Sequence, residues 1–280
     1  MTAGEFARRP TRRGVLGFGA LGVAGIGAAL VRPQPAKAAL MAEPGGCLLM
    51  PQAVEGPFYF DPKLGRSNIS EGHAGVPVKV KLQLLGADCR PLEGARLDLW
   101  HADAQGVYSG YDGQGDARNY SSRGQHFLRG SQFADSDGRI EFQSIFPGWY
   151  AGRTTHMHLK AFIGGTGVLT AQIYFPDAIN EFIYTNVEAY RRPLQRDTLN
   201  ATDGIAKTAT DAAFASIKEA REHYEVSLVV GLDPRARVAE RGPDAPPSGP
   251  PPGGRVGPRH GRPQLSAEDR LRALVPGMEG

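Results

Sequence analysis

Only two of the 280 residues are cysteine, too few thiolates for a zinc knuckle or an iron–sulfur cluster. Histidine is scarce too, with seven in all, at positions 73, 101, 126, 156, 158, 223 and 260. The chain also lacks a large charge of either sign: the formal net charge is +3, and even that surplus belongs to the ends. Residues 1–38 hold six Lys or Arg against one acid, and residues 235–280 hold eight Arg against five acids. The stretch between them has 18 basic and 23 acidic side chains. A nucleic-acid binder concentrates positive charge on its folded part, so no nucleic-acid partner is expected. With 22% charged, 41% hydrophobic and 8% aromatic residues, full-length disorder, collagen and coiled coil are excluded.

The two ends read differently from the middle. Thr11-Arg12-Arg13-Gly14-Val15-Leu16 opens an uncharged run to Val31, which is followed by Ala36-Lys37-Ala38. An arginine pair before a mildly apolar stretch and a small-x-small site has the form of a twin-arginine export signal. An uncleaved membrane anchor is the alternative, but six glycines between 14 and 27 weaken a helix long enough to span a bilayer. Residues 1–38 are therefore expected to be a signal, leaving a periplasmic or extracellular protein with no stable membrane span after cleavage. At the other end, nine Pro and eight Gly in residues 235–280 leave too little apolar surface to offset ordering, and this reads as a disordered tail. Residues 39–234 remain as one domain, which leaves room for an oligomer.

Within that domain, alternation of period two dominates. Val78, Val80, Leu82 and Leu84 alternate with polar residues, as do Leu97 and Leu99, and then Ile140, Phe142 and Ser144. Segments 155–163, 167–175 and 225–230 are also strand-like, and helical character is confined to about 178–190 and 209–222. Short strands between Gly/Asp turns predict an all-β fold, an antiparallel β-sandwich with long site-bearing loops and one or two short helices. Residues 102–135 read as one long polar loop, of the kind that usually serves function. In an oxidising compartment Cys47 and Cys89 are expected to pair, and two unpaired buried thiols are the alternative.

The chemistry concentrates around Thr155-His156-Met157-His158-Leu159. On a strand, positions i and i+2 share a face about 6.5–7 Å apart, so two imidazoles there can converge on one ion. Taken alone, His-x-His is a weak signal. Just upstream, the turn 146–153 displays Tyr150 and Arg153, and a second tyrosine, Tyr108, follows the strand ending at Trp100. His101 reads as structural, His126 as a loop residue near the cleft, and the other three histidines as surface residues.

These stretches resemble the intradiol ring-cleavage dioxygenases, non-haem ferric enzymes that include the catechol and protocatechuate dioxygenases. The matching segments are EGPFYFD (55–61), LLGADCRPLEGARLDLWHADAQGVYSGYD (84–112), FLRG (127–130) and PGWYAGRTTHMHLKAF (147–162), with weaker echoes in LTAQIYF (169–175) and RDTLNATDG (196–204). The resemblance spans roughly 45–232 and implies a β-sandwich holding Fe(3+) by Tyr108, Tyr150, His156 and His158. It further implies that Arg153 and Gln172 line the substrate pocket and that Tyr150 acts as a built-in base. The reaction it implies is intradiol cleavage of a catechol-type substrate by O2 to a cis,cis-muconate-type diacid. Only five residues separate Tyr150 from His156, fewer than in the family's catechol and protocatechuate enzymes, so the pocket wall and the identity of the catechol stay open.

The donor set agrees with that metal. Ferric iron is a hard cation suited to phenolate oxygen, and its charge lowers a tyrosine's pKa far below about 10. Two phenolates and two neutral imidazoles leave the centre at net +1, which suits a catecholate dianion. Zinc seldom recruits two tyrosines. Two other readings compete: another His-based metalloenzyme such as a cupin, and an exported β-sandwich module binding an aromatic or carbohydrate ligand through its tyrosines and Trp149. The cupin pattern wants an acid soon after the second histidine, and Lys160-Ala161-Phe162-Ile163-Gly164-Gly165 supplies none.

Overall fold

The computed structural model describes residues 47–61, 63–238, 272 and 274; the expected signal over residues 1–38 and nearly all of the Pro/Gly-rich tail lie outside them. Eight strands follow in order: β1 (Pro77–Gly86), β2 (Arg96–Trp100), β3 (Arg129–Phe133), β4 (Arg139–Ile145), β5 (His156–Ile163), β6 (Thr166–Tyr174), β7 (Ser216–Glu219) and β8 (Tyr224–Leu232). They form two four-stranded sheets, ordered β4-β1-β8-β7 and β3-β2-β5-β6. The expected sandwich is thus present. All pairs are antiparallel except β1–β8, which runs parallel because the last strand returns beside the first.

The alternating residues explain why the two sheets face each other. Val78, Val80, Leu82 and Leu84 of β1 meet a core that includes Leu97 and Leu99 of β2, Met157 and Leu159 of β5, and Ala171 and Ile173 of β6, all fully or nearly fully buried. Each of the Val, Leu, Met and Ile side chains contributes about 1.5–3 kcal/mol on leaving water. The opposite face of β5 then has to carry His156, His158 and Lys160, and these are buried as well.

An extended strap, residues 52–60, covers that second face. Gln52 brackets β6 by accepting from the Thr170 amide (2.9 Å) and donating to the Val168 carbonyl (3.0 Å). Lys160 Nζ reaches Glu55 (2.7 Å), and the Tyr59 hydroxyl donates to Asp98 (2.9 Å). The strap's upstream end is pinned by a Cys47–Cys89 disulfide with Cα atoms 5.1 Å apart.

Two local expectations need correction. Residues 209–222 are not helical: a 3-10 turn at Asp211–Ala213 leads into β7, where Ile217 pairs with Val226. The helix-favouring Ala, Lys and Glu of this stretch yield to the open edge of β8, since sheet pairing outweighs a few tenths of a kcal/mol of propensity per residue. Residues 102–135 are not all loop either, because they contain β3; its sequence RGSQF has no apolar alternation to reveal it. Of the helical stretch 178–190, Asp177–Asn186 forms the α-helix α1, and Glu188–Tyr190 is a separate 3-10 turn. A last 3-10 turn spans Ala206–Thr208. Beyond Pro234, the Val238 amide still bonds the Gly167 carbonyl of β6 (3.1 Å). Among the described residues no helix is long and apolar enough to cross a membrane.

Candidate active site

Sheet register brings the first pair of candidate ligands together. His158 stands opposite Trp100 on one side and Gln172 on the other, and His156 stands opposite Tyr174. The Trp100 indole stacks on the His158 ring at 4.8 Å and 9°, fixing its plane. On the strap, Gly56 lies against the same ring, where an added Cβ would come within 3.3 Å of Cε1.

Two loops deliver the tyrosines. After β2 the chain tightens around the Asp103 carboxylate, which accepts from the amides of Gln105 and Val107 (both 2.9 Å). That turn aims Tyr108 inward, and Gln114 Oε1 accepts from its amide (3.0 Å) while the Phe58 ring stacks on it at 4.8 Å. Tyr150 sits in the turn before β5, where the Arg153 amide reaches the Tyr150 carbonyl (3.3 Å) and the Asp197 carboxylate accepts from the Gly152 amide (2.9 Å).

All four side chains meet at one point. His156 Nε2 lies 3.1 Å from His158 Nε2, 3.1 Å from the Tyr150 hydroxyl and 3.4 Å from the Tyr108 hydroxyl. Donors held ~2.0–2.2 Å from a common ion at 90–110° sit roughly 2.8–3.6 Å apart, and these contacts fall in that window. The protonation pattern agrees. His156 Nδ1–H donates to the Thr154 carbonyl (2.7 Å), so in the neutral ring the Nε2 lone pair faces the centre. Burial, then the Arg153 charge, pushes the His156 pKa down to about 3. Burial, then His156 and Arg153, holds His158 well below its ordinary value. Burial likewise raises Tyr108 well above 10 and raises Tyr150, in the latter case against the pull of Arg153. Two lone-pair nitrogens and two phenols that ionise only beside a cation are what ferric iron requires, and the residues present fit it.

The centre reaches the surface on the side of Tyr150 and Arg153. Tyr108, His156 and His158 are buried, whereas Tyr150 and Arg153 are partly exposed. Arg153 is held from behind: its Nε donates to Asp203 Oδ2 (2.8 Å), and its Nη2 donates to Gln172 Oε1. Gln172 is itself engaged at both ends, accepting from the Tyr174 hydroxyl (2.9 Å) and donating to the Val54 carbonyl (3.1 Å). Burial would raise the Asp203 pKa, but the Ala206 amide, the Arg153 charge and the Thr154 amide together hold it below the usual carboxylate range.

The sequence candidates thus gather in one place, and the structure adds residues that local pattern did not single out. Asp203, Tyr174, Gly56 and Phe58 all bear on the site; their only sequence signal was membership of the stretches RDTLNATDG, LTAQIYF and EGPFYFD. His101 is structural, with Nε2 on Ser144 Oγ (2.7 Å) and Nδ1 donating to the Ala102 carbonyl (2.8 Å). His126 is exposed, its ring 5.7 Å from Phe60. Trp149, a ligand platform in the binding-module reading, is buried beneath Arg192, whose guanidinium stacks 3.7 Å from the ring centroid. Among the described residues no three His, Cys, Asp or Glu side chains form a metal-binding group, which leaves a His/carboxylate centre without its acid.

Comparison with known proteins converges on the same chemistry. A family model described as Dioxygenase matches residues 55–216, more than half of the chain. The catechol 1,2-dioxygenase of Acinetobacter baylyi is 26% identical over 209 residues, covering 65% of this chain and 64% of that protein. Catechol 1,2-dioxygenase 2 of Acinetobacter lwoffii is 28% identical over 149 residues, half of its own length. The chain therefore spans less than two thirds of these curated relatives. Among solved structures, an intradiol ring-cleavage dioxygenase from Tetranychus urticae superposes with a TM-score of 0.63 at 28% identity, covering 69% of this chain and 98% of that one. A dioxygenase domain from a dioxygenase–carbohydrate-binding fusion of a cellulolytic Streptomyces gives 0.50 at 30% identity, covering 66% and 98%. Two tyrosines and two histidines converging on a β-sandwich, and a family match across the segments that supply them, lead to one assignment: the chain belongs to the intradiol ring-cleavage dioxygenase family.

Proposed function

We propose that this protein cleaves a catechol-type substrate between its two hydroxylated carbons with O2, giving a cis,cis-muconate-type diacid. The observation that supports it is the gathering of Tyr108, Tyr150 and His158 at 3.1–3.4 Å around His156 Nε2. These four are the proposed ligands of a non-haem Fe(3+). When bound, that ion supplies a Lewis-acidic anchor for two catechol oxygens and the redox partner that lets O2 react with the ring.

The protein's own groups divide the remaining work. Tyr150, at the open side, takes a proton from the incoming diol at its phenolic oxygen, which makes it the base of the reaction. Arg153 stands beside it and stabilises negative charge developing on the substrate from a fixed position. Gln172, with its amide engaged at both ends, holds Arg153 forward. Trp100 and the strap shield the rear of the site from water.

The deciding experiment is oxygen uptake against a panel of catechols by the iron-loaded protein, with 18O2 and mass analysis of the products. The reading expects both oxygen atoms in a diacid cut between the hydroxylated carbons. A ring cut beside the diol, or no uptake with any catechol, would overturn it. Tyrosinate-to-ferric charge transfer should also colour the protein burgundy, and a colourless iron-loaded protein would count against the ligand set.

We also infer export by the twin-arginine route to a periplasmic or extracellular site. The Arg12-Arg13 pair supports this, as does the Cys47–Cys89 disulfide, which suits an oxidising compartment. Replacing both arginines by lysine should retain the protein in the cytoplasm; unchanged export would refute the route.

A further inference from the structure

We infer that Asp203 is a positioning residue that sets Arg153 directly and His156 through Thr154, so that one buried carboxylate aligns the substrate-side cation with a metal-facing imidazole. This inference rests on the dioxygenase reading above. Asp203 lies in the loop between α1 and β7, far in sequence from both residues it would set, and it is fully buried.

Its two oxygens do different things. Oδ1 accepts from the amides of Ile205 (2.7 Å) and Ala206 (2.9 Å), shaping the turn that follows. Oδ2 points the other way and accepts from Arg153 Nε (2.8 Å) and from the Thr154 amide (2.8 Å). The Thr154 carbonyl in turn accepts from His156 Nδ1 at 2.7 Å. From Oδ2, therefore, one branch leads to the guanidinium and the other to the imidazole that is central to the ligand contacts.

Both branches matter for physical reasons. An arginine side chain left free at a partly open site loses rotamer entropy each time it meets substrate. Pinning Nε from behind removes that cost and keeps the planar fork facing forward. A ligating imidazole depends on the acceptor at its other nitrogen for tautomer and ring orientation. Here that acceptor is a backbone carbonyl, and the peptide unit on its N-terminal side is held by Asp203. The loop is further tied down by Thr154 Oγ1 donating to Asn200 Oδ1 (2.7 Å).

The test uses Asp203→Asn, because the amide keeps a carbonyl for the Ile205 and Ala206 donors and sets an NH2 against Arg153 and Thr154. Three variants of the full chain are compared with wild type: D203N, R153Q and the double variant. Each is measured for kcat/KM with catechol and for the half-time of iron loss to a chelator. D203N should lower kcat/KM by roughly 10- to 100-fold and shorten the iron half-time by about tenfold. R153Q should lower kcat/KM comparably yet keep the wild-type iron half-time, because the Asp203–Thr154 bond survives. The double variant should lose less turnover than the two single losses multiplied together, because the Arg153 branch is already gone in R153Q, and should lose iron as fast as D203N. Should D203N not fold, Asp203→Ser takes its place, since the hydroxyl still serves the two amides.

A D203N protein within twofold of wild type in both measurements overturns the inference while the dioxygenase reading stands. So does a turnover loss that adds fully to that of R153Q, the mark of a purely structural carboxylate. A wild-type protein that takes up no iron overturns the dioxygenase reading and this inference with it.

Discussion

The loop that carries Tyr108 and the turn that carries Tyr150 pack backbone to backbone at Gly148, and substituting it should pull the two tyrosines apart. Gly148 has an ordinary φ, so alanine there meets only a steric objection. The amide of Gly148 bonds the Asp103 carbonyl at 3.0 Å, and an added Cβ would fall 2.2 Å from that oxygen and 2.5 Å from the Ala104 carbonyl oxygen. Contacts below 3.0 Å are essentially never seen for a Cβ, so the Asp103 oxygen has to retreat by about 0.8 Å. Neither neighbour is a flexible side-chain tip; both are backbone, and the Asp103 turn is locked by its own carboxylate. The strain therefore passes along the loop to Tyr108 or back along the turn to Tyr150. Overpacking of this kind costs about 1–3 kcal/mol, and metal sites tolerate ligand shifts of only about ±0.2 Å. A displacement near 1 Å at a reacting centre can cost about 100-fold in rate. Gly148→Ala should thus fold with a lowered melting temperature, bind substoichiometric iron and lose most of the proposed ring-cleaving rate. Gly65→Ala is the control, since a Cβ there meets nothing within 4 Å. Iron per chain, visible absorbance and oxygen uptake are the assays. A G148A protein with full iron, an unshifted band and a rate within twofold of wild type would refute the steric coupling.

Three further outcomes follow from the same geometry. Tyr108→Phe should shift or bleach the visible band and His158→Ala should lose iron, both read by absorbance and metal analysis; bands and iron contents like wild type would remove those residues from the centre. In the iron-free protein, burial lowers the His101 pKa from 6.5 to about 4, so the unfolded chain takes up a proton first as pH falls. Stability should drop between pH 6.5 and 4 by on the order of 3 kcal/mol from this group; His101→Gln should flatten that slope in thermal melts, and an unchanged slope would show the group titrates normally. The Cys47–Cys89 bridge closes a separation of 42 residues, which chain-entropy arguments value at about 4 kcal/mol. A Cys47→Ser/Cys89→Ser protein should unfold at lower urea, and equal midpoints with the wild type would deny the bridge a stabilising role.

What the sequence disclosed and what it hid divide along a physical line. Strand β5 was legible because both of its faces speak locally: Met157, Leu159 and Ala161 fill the core, and His156 and His158 occupy the alternate positions. Tyr108 and Tyr150 were legible from motif resemblance, as each lies in a short turn with its own glycine signature. Strand β3 was not, because RGSQF is defined by its partners across β2 rather than by its own alternation. Residues 209–222 misled for the complementary reason, since their helical composition is overruled by an edge that β8 presents from later in the chain. Asp203 belongs with these hidden cases. Its role consists of satisfying donors at Arg153 and Thr154, some fifty positions away, and no pattern within its own neighbourhood records that. The groups around the proposed iron are thus of two kinds: those that touch the centre, which local sequence displays, and those that hold the first kind still, which only the folded chain assembles. A site of this design should for that reason tolerate change in the surrounding strand sequences more readily than in buried carboxylates and glycines remote from the motif.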